Sequence, residues 1–217
     1  MPKAGQRGKY LGFVAHEIKN PLATALWSCD LLKRMDATDR AGERAEKMID
    51  VSLRALRRMR RLIDDYFTIE RLLEQGYDLK REPVALRDLV EPVVRALKEK
   101  DGVVTDSWVL DVRDGATMGD ADMLRRAVRL SLEHMARPSP NPRLELASGN
   151  QGGQPALHVR AETPPTPLIP PEPQDRASGD PSGSVLGFAL ASRILESHGG
   201  KLEERDGGLS LVFPPAA

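Results

Sequence analysis

The stretch from Ala41 to Leu73 constrains the fold more than any other part of this chain. Ile49, Ser52, Leu56, Met59, Ile63, Tyr66 and Leu73 recur at alternating three- and four-residue steps, a helical seam interrupted at Glu70. Leu53, Leu62 and Ile69 widen that seam into a face too broad for a single partner helix. A helix also precedes it, from Tyr10 to about Met35. At about 100° per residue its Leu11, Val14, Ile18, Leu22, Ala25, Cys29 and Leu32 cluster on one side. The polar Asp36 to Gly42 between them reads as the turn of a helical hairpin, and Gly76 as the stop of the second helix. Two such hairpins, one from each of two chains, would bury the broad face as a four-helix bundle.

Composition narrows the remaining possibilities. The length of 217 residues leaves room for one large domain or two small ones. Acidic and basic residues balance at 32 each, so no global field favours nucleic acid or an anionic membrane. Aromatics are only 4%, which suits helix packing and gives base stacking little to work with. The single Cys29 excludes an intrachain disulfide and fits a reducing compartment. No apolar run reaches the roughly 18–20 residues that cross a bilayer, and no signal-peptide pattern opens the chain. These features predict a cytoplasmic protein without membrane insertion or nucleic-acid binding.

Beyond Gly76 the periodicity changes. Leu79–Pro83 reads as a short edge strand, Val84 to about Lys100 as a helix, and Val103–Val112 as strands. Asp120 to Ala136 is helical, with Asp120 near its N-terminus where the helix dipole favours an acid. Arg143–Ala147 and Ala156–Ala161 alternate as strands, and the proline-rich Thr163–Pro181 reads as an extended loop. A helix over Leu186–Ser197 stops at Gly199-Gly200. A hairpin of Lys201–Glu204 with Leu209–Phe213 then closes around Asp206-Gly207-Gly208. The predicted organisation is an all-α hairpin over residues 1–77 and an α+β sandwich over 78–217, a mixed sheet with helices on one face.

The chemistry is concentrated at His16-Glu17-Ile18-Lys19-Asn20-Pro21-Leu22. On the helical wheel His16 falls nearly opposite the apolar centre with Asn20 beside it, so the imidazole should be exposed. Pro21 removes a backbone donor and predicts a kink just beyond it. An exposed neutral imidazole offers a nucleophilic ring nitrogen, and an adjacent carboxylate can fix its tautomer through the other nitrogen.

All seven residues fit the H-box of two-component histidine kinases, H-E-[IL]-[KR]-[TN]-P-L, and residues 10–75 resemble that family's dimerisation and histidine-phosphotransfer domain. The resemblance makes His16 the phosphosite and Glu17 its acid–base partner. Asn20 would orient a water against the phospho-aspartate of a receiver domain, Lys19 would screen phosphoryl charge, and Pro21 completes the motif. Trp27 and Leu31, further along the histidine side, read first as core packing after the Pro21 kink and otherwise as a docking site for a response regulator. The basic run Arg54, Arg57, Arg58, Arg60 and Arg61 reads as a solvated helix face, with an acidic receiver surface as the alternative partner.

Residues 78–215 resemble the family's Bergerat-type ATP-binding domain in element order. Met118–Val128 is similar to the approach to the N-box helix, and Ser182–Gly200 to the G2 box and the helix after it. In that register the N-box asparagines fall on Leu130 and His134. The G1 Asp falls on Ala161, and the G1 glycines on Thr163 and Pro165. Of the G2 glycines, Gly183 and Gly187 remain and Val185 replaces the middle one, while Arg137 keeps the basic residue after the N-box. Leucine cannot ligate Mg²⁺ and imidazole suits it poorly.

The function these features predict is a homodimeric histidine phosphotransferase. It would relay a phosphoryl group between response-regulator receiver domains through His16, with Mg²⁺ supplied by the receiver and no cofactor or metal of its own. The alternatives are an ATP-dependent histidine kinase with a divergent nucleotide site and a pseudokinase scaffold.

Overall fold

The computed structural model describes residues 10–74, 77–101, 103–113, 115–171 and 184–216. Gly76, Gly183 and residues 172–181 of the proline-rich loop, all named above, lie outside the described residues. The described residues divide into two compact units, 10–70 with 184–186 and 71–171 with 187–216.

The first unit is the helical hairpin. Helix α1, Leu11–Arg34, continues through Pro21 and carries Lys33 and Arg34 in its last turn, where the dipole favours cations. The connection is more structured than the expected turn. Asp36 accepts the Asp39 N–H at 2.8 Å and caps the one-turn helix α2, Ala37–Arg40. Helix α3, Glu43–Leu73, opens with Glu43 and Glu46 in its first turn.

The buried stripe of α1 is Phe13, Val14, Glu17, Pro21, Ala25 and Ser28. That of α3 is Ala45, Ser52, Ala55, Met59, Leu62 and Ile69. Alanines and serines accompany larger side chains in both stripes, and Cys29 Sγ lies 3.7 Å from Ser52 Oγ between the two helices. Much of the apolar face expected to be buried in a bundle of two hairpins is outside in the single one: Leu11 is 54% exposed, Leu22 43%, Ile49 47% and Leu56 50%. Within one hairpin, each helix can bury only the side that meets the other.

The second unit holds a mixed five-stranded sheet in the order β2-β4-β5-β7-β6, with the helix of residues 121–136 packed against β5. Its strands are β2 (Val109–Asp111), β4 (Leu144–Gln151), β5 (Gln154–Ala161), β6 (Lys201–Arg205) and β7 (Gly208–Val212). The β2–β4 pair is parallel and the other pairs are antiparallel. Register pairs Leu146 with Val159, Val159 with Leu209, and Leu157 with Leu211. These side chains share one sheet face, and all are at most 1% exposed. The helices are α4 (Leu86–Asp101), α5 (Ala121–Ala136) and α6 (Ser184–His198). Asp120 caps α5 by accepting the Met123 N–H at 3.1 Å.

Two expectations need correction. The first strand is β1, Glu82–Ala85, which pairs with β3, Ala116–Gly119, in a separate two-stranded sheet. Neither segment is long enough to display alternation, so their pairing leaves no periodic signal. Within Val103–Val112 only β2 is a strand. Trp108 instead turns the chain: its N–H donates to the Thr105 carbonyl at 3.0 Å and its indole Nε1–H to the Pro142 carbonyl at 3.0 Å.

Candidate functional site

Successive residues on a helix diverge by about 100°, so the neighbours His16 and Glu17 face different surroundings. The His16 side chain is 48% exposed, whereas that of Glu17 is 1% exposed on the α3 side. His16 Nδ1 lies 3.6 Å from Glu17 Oε1, beyond hydrogen-bond range but within an ion-pair distance. Catalytic contacts are often this long without a bound reactant and tighten with it. The second carboxylate oxygen, Oε2, lies 3.6 Å from a terminal guanidinium nitrogen of Arg58 on α3. Neither Glu17 oxygen has a hydrogen-bond partner among the described residues.

One turn on, Asn20 is exposed and its carbonyl accepts the Thr24 hydroxyl at 3.1 Å. Pro21 has no N–H to return to the carbonyl of Glu17, so the backbone beneath the histidine lacks one helical bond. Asn20, Pro21 and Thr24 face Arg54, Arg58 and Arg61 across a groove between α1 and α3. Lys19 is exposed, Trp27 is 59% exposed and Leu31 is half-buried. Trp27 therefore lies on the surface of the hairpin and not in its core.

The structure separates the arginine run that the sequence presents as one. Arg60 points outward to Asp64 at 3.8 Å, while Arg58 turns in toward Glu17. Sequence reasoning missed this role. The partners sit on different helices, and only the register of the hairpin brings them together.

In the second unit, two of the residues that the resemblance aligns with nucleotide chemistry, Leu130 and His134, have contacts within the protein. His134 is 2% exposed, and its Nε2–H donates to the Leu168 carbonyl at 2.8 Å. A carbonyl only accepts, so that nitrogen carries a proton and has no lone pair for a metal. The His134 ring packs against Phe188 with centroids 4.8 Å apart. Leu130 lies over Gly187, where an added Cβ would come within 3.1 Å of a leucine methyl. Ala161 ends β5 opposite Leu144, and Pro165 is buried.

Residues 6–75 match the family described as the His Kinase A (phospho-acceptor) domain. The sensor protein VanS of Enterococcus faecium is 25% identical over 203 residues, covering 88% of this chain and 51% of VanS. The chain thus spans about half the length of that relative. Among solved structures, the Acinetobacter baumannii histidine kinase AdeS superposes with a TM-score of 0.69 at 16% identity, over 93% of this chain and 98% of that one. The histidine kinase ThkA, solved in complex with the response regulator protein TrrA, superposes with a TM-score of 0.63 at 20% identity, over 95% of this chain and 60% of that one. Among the described residues, no helix is long and apolar enough to cross a membrane. An exposed histidine backed by a buried acid on a helical hairpin, followed by this sheet, has the architecture of a two-component histidine kinase core: residues 6–75 match the His Kinase A (phospho-acceptor) domain, and a unit with the fold of the ATPase-like domain follows them.

Proposed function

We propose that this chain carries a phosphoryl group on His16 and exchanges it with the aspartate of a response-regulator receiver domain, acting as a homodimer. The carrying observation is the exposed His16 imidazole with the buried Glu17 carboxylate against its Nδ1. In the exchange, the Nε2 lone pair attacks phosphorus in line. The acyl-phosphate P–O bond breaks toward the receiver aspartate, and the reverse step loads a second receiver. Glu17 holds the Nδ1 proton, and Lys19 screens the phosphoryl charge. Asn20 orients water when the receiver is dephosphorylated, and Trp27 with Leu31 meets the receiver below His16. The ThkA–TrrA complex supports a receiver as partner. The exposed Leu22, Ile49 and Leu56 support a second copy of the hairpin. Mg²⁺ comes from the receiver, and the reducing compartment suited to Cys29 assigns the exchange to the cytoplasm.

Two sources of the phosphoryl group are in play, each with its own support. The comparisons favour an ATP-dependent histidine kinase over a relay that never binds ATP, because the matched proteins are sensors and histidine kinases over most of this chain. The side chains favour the relay. The Leu130 and His134 positions supply no oxygen ligand for Mg²⁺, Ala161 supplies no acceptor for an adenine amino group, and His134 Nε2–H is committed to Leu168. These residues do not fit Mg²⁺-ATP in the family's manner, so the geometry supports the relay.

Calorimetric titration with Mg²⁺-ATP into the millimolar range decides between the two. The relay predicts no saturable binding, together with transfer from a phosphorylated receiver that is lost in His16→Ala. Saturable binding below about 1 mM, near −4 kcal/mol, with ATP-dependent labelling that His16→Ala abolishes, would establish the kinase.

A further inference from the structure

Glu17 poses an electrostatic problem that the family motif alone does not solve. Its carboxylate is 1% exposed on the side chain, and neither oxygen accepts a hydrogen bond among the described residues. A carboxylate so far from water keeps its charge only with a compensating cation close by. The two oxygens are divided between two groups: Oε1 lies 3.6 Å from His16 Nδ1, and Oε2 lies 3.6 Å from Arg58. The Arg58 side chain is itself only 25% exposed, so this pair is shielded from the screening that weakens surface ion pairs. Guanidinium is charged at all working pH values, and its planar fork suits a carboxylate better than an ammonium does.

We propose that Arg58 is a positioning residue for phosphoryl transfer. Held by α3, it sets its positive charge against the Glu17 carboxylate and turns that carboxylate so that Oε1 accepts from the Nδ1–H of His16. The imidazole is thereby fixed as the Nδ1–H tautomer, and the lone pair on Nε2 is offered to phosphorus. When the Nε2–P bond forms, the leaving atom departs with the electrons of its bond to phosphorus. The ring becomes cationic, and the Glu17 carboxylate compensates that charge across Nδ1–H. In this reading Arg58 acts on the imidazole through Glu17. This rests on the reading of His16 as phospho-acceptor, and it holds whichever donor supplies the phosphoryl group.

The test uses the whole chain and needs no identified partner. Long-range ¹H–¹⁵N correlation spectra of imidazole-labelled protein report the His16 tautomer, with His16→Ala supplying the assignment. Potassium phosphoramidate serves as phosphoryl donor: its P–N bond breaks, ammonia leaves with the electron pair, and ³¹P spectra follow phosphohistidine formation. The wild type should hold predominantly the Nδ1–H form. Arg58→Met should move it toward Nε2–H and slow labelling of His16 roughly fivefold to tenfold, less than the ~10²–10⁴ of losing an acid–base group itself. Arg58→Lys should restore most of both. In a Glu17→Gln background, where no buried charge is left to compensate, Arg58→Met should change neither readout.

An unchanged tautomer and labelling rate in Arg58→Met would overturn the inference, as would an equal effect in the Glu17→Gln background. If wild-type His16 is labelled no faster than the other histidines, the phospho-acceptor reading fails. The tautomer comparison then still decides what Arg58 does.

Discussion

Replacing His198 by alanine should destabilise the second unit by about 3–4 kcal/mol, because this ring ties the end of α6 to the start of α5. His198 Nε2 accepts the Asp120 backbone N–H at 3.1 Å, and Nδ1–H donates to the Ile194 carbonyl at 2.7 Å. Two neutral hydrogen bonds contribute about 1 kcal/mol each. The ring is also 2% exposed and lies so close to Gly119 that a Cβ there would fall 2.8 Å from its Cδ2. Deleting it leaves a void worth a further ~1–2 kcal/mol. Urea unfolding followed by Trp108 emission, in a Trp27→Phe background, reads this unit, since Trp108 is buried and Trp27 exposed. A loss below about 1 kcal/mol would refute the reasoning.

Acid adds a second, independent readout. Burial first, and the Arg81 charge after it, push the His198 pKa below its ordinary value, against the opposing pull of the Ile194 carbonyl and Asp120. The native state thus prefers the neutral ring, whose Nε2 lone pair receives the Asp120 N–H. A group depressed on folding contributes its full stability above the unfolded value, near pH 6.5, and loses it as pH falls through the folded value. Wild type should lose stability more steeply than His198→Ala in that window, by at most about 1.4 kcal/mol per pH unit. A gap between the two proteins that stays constant from neutral pH downward would show that His198 does not titrate against folding.

Leu56, half exposed in a single chain, should matter little to the hairpin itself yet decide its pairing. Leu56→Glu should cost the fold under about 0.5 kcal/mol and convert a dimer to a monomer in light scattering at micromolar concentration. A monomeric wild type would sink that reading. In the second unit, a Cβ on Gly200 would fall 2.2 Å from the Val212 carbonyl oxygen, which is backbone and cannot swing aside. Gly200→Ala should therefore cost about 3 kcal/mol or more. At Gly152, where φ is +60° and nothing lies within 4 Å, alanine should cost only about 1 kcal/mol of backbone strain. Similar midpoints of unfolding for the two variants would contradict the steric argument.

Periodicity carried much of this architecture. The helical repeat marks α1 and α3 within a residue or two of their ends. The wheel puts His16 away from the apolar side, as the exposed imidazole has it. Alternation marks β4 and β5, and Asp120 caps α5 where its position suggests. Each of these follows from residues that are neighbours in the chain, where a repeat of about 3.6 or of 2 directly ties sequence to a face.

What the tertiary structure decided involves residues that are not neighbours. A broad apolar helix does not announce which half meets its own hairpin. Packing chose Ala25, Ala55 and Met59 and left Leu22 and Leu56 outside. Two short segments, Glu82–Ala85 and Ala116–Gly119, paired without any repeat to foretell it. Of the arginines in one run, only the register of α1 against α3 could direct Arg58 to Glu17. His134 likewise found the Leu168 carbonyl across a loop. Sequence order determines the local repeats and the chemical inventory of this protein. Which distant groups meet is settled only when two elements pack, because the energy of a buried charge or hydrogen bond depends on distances that no local pattern encodes.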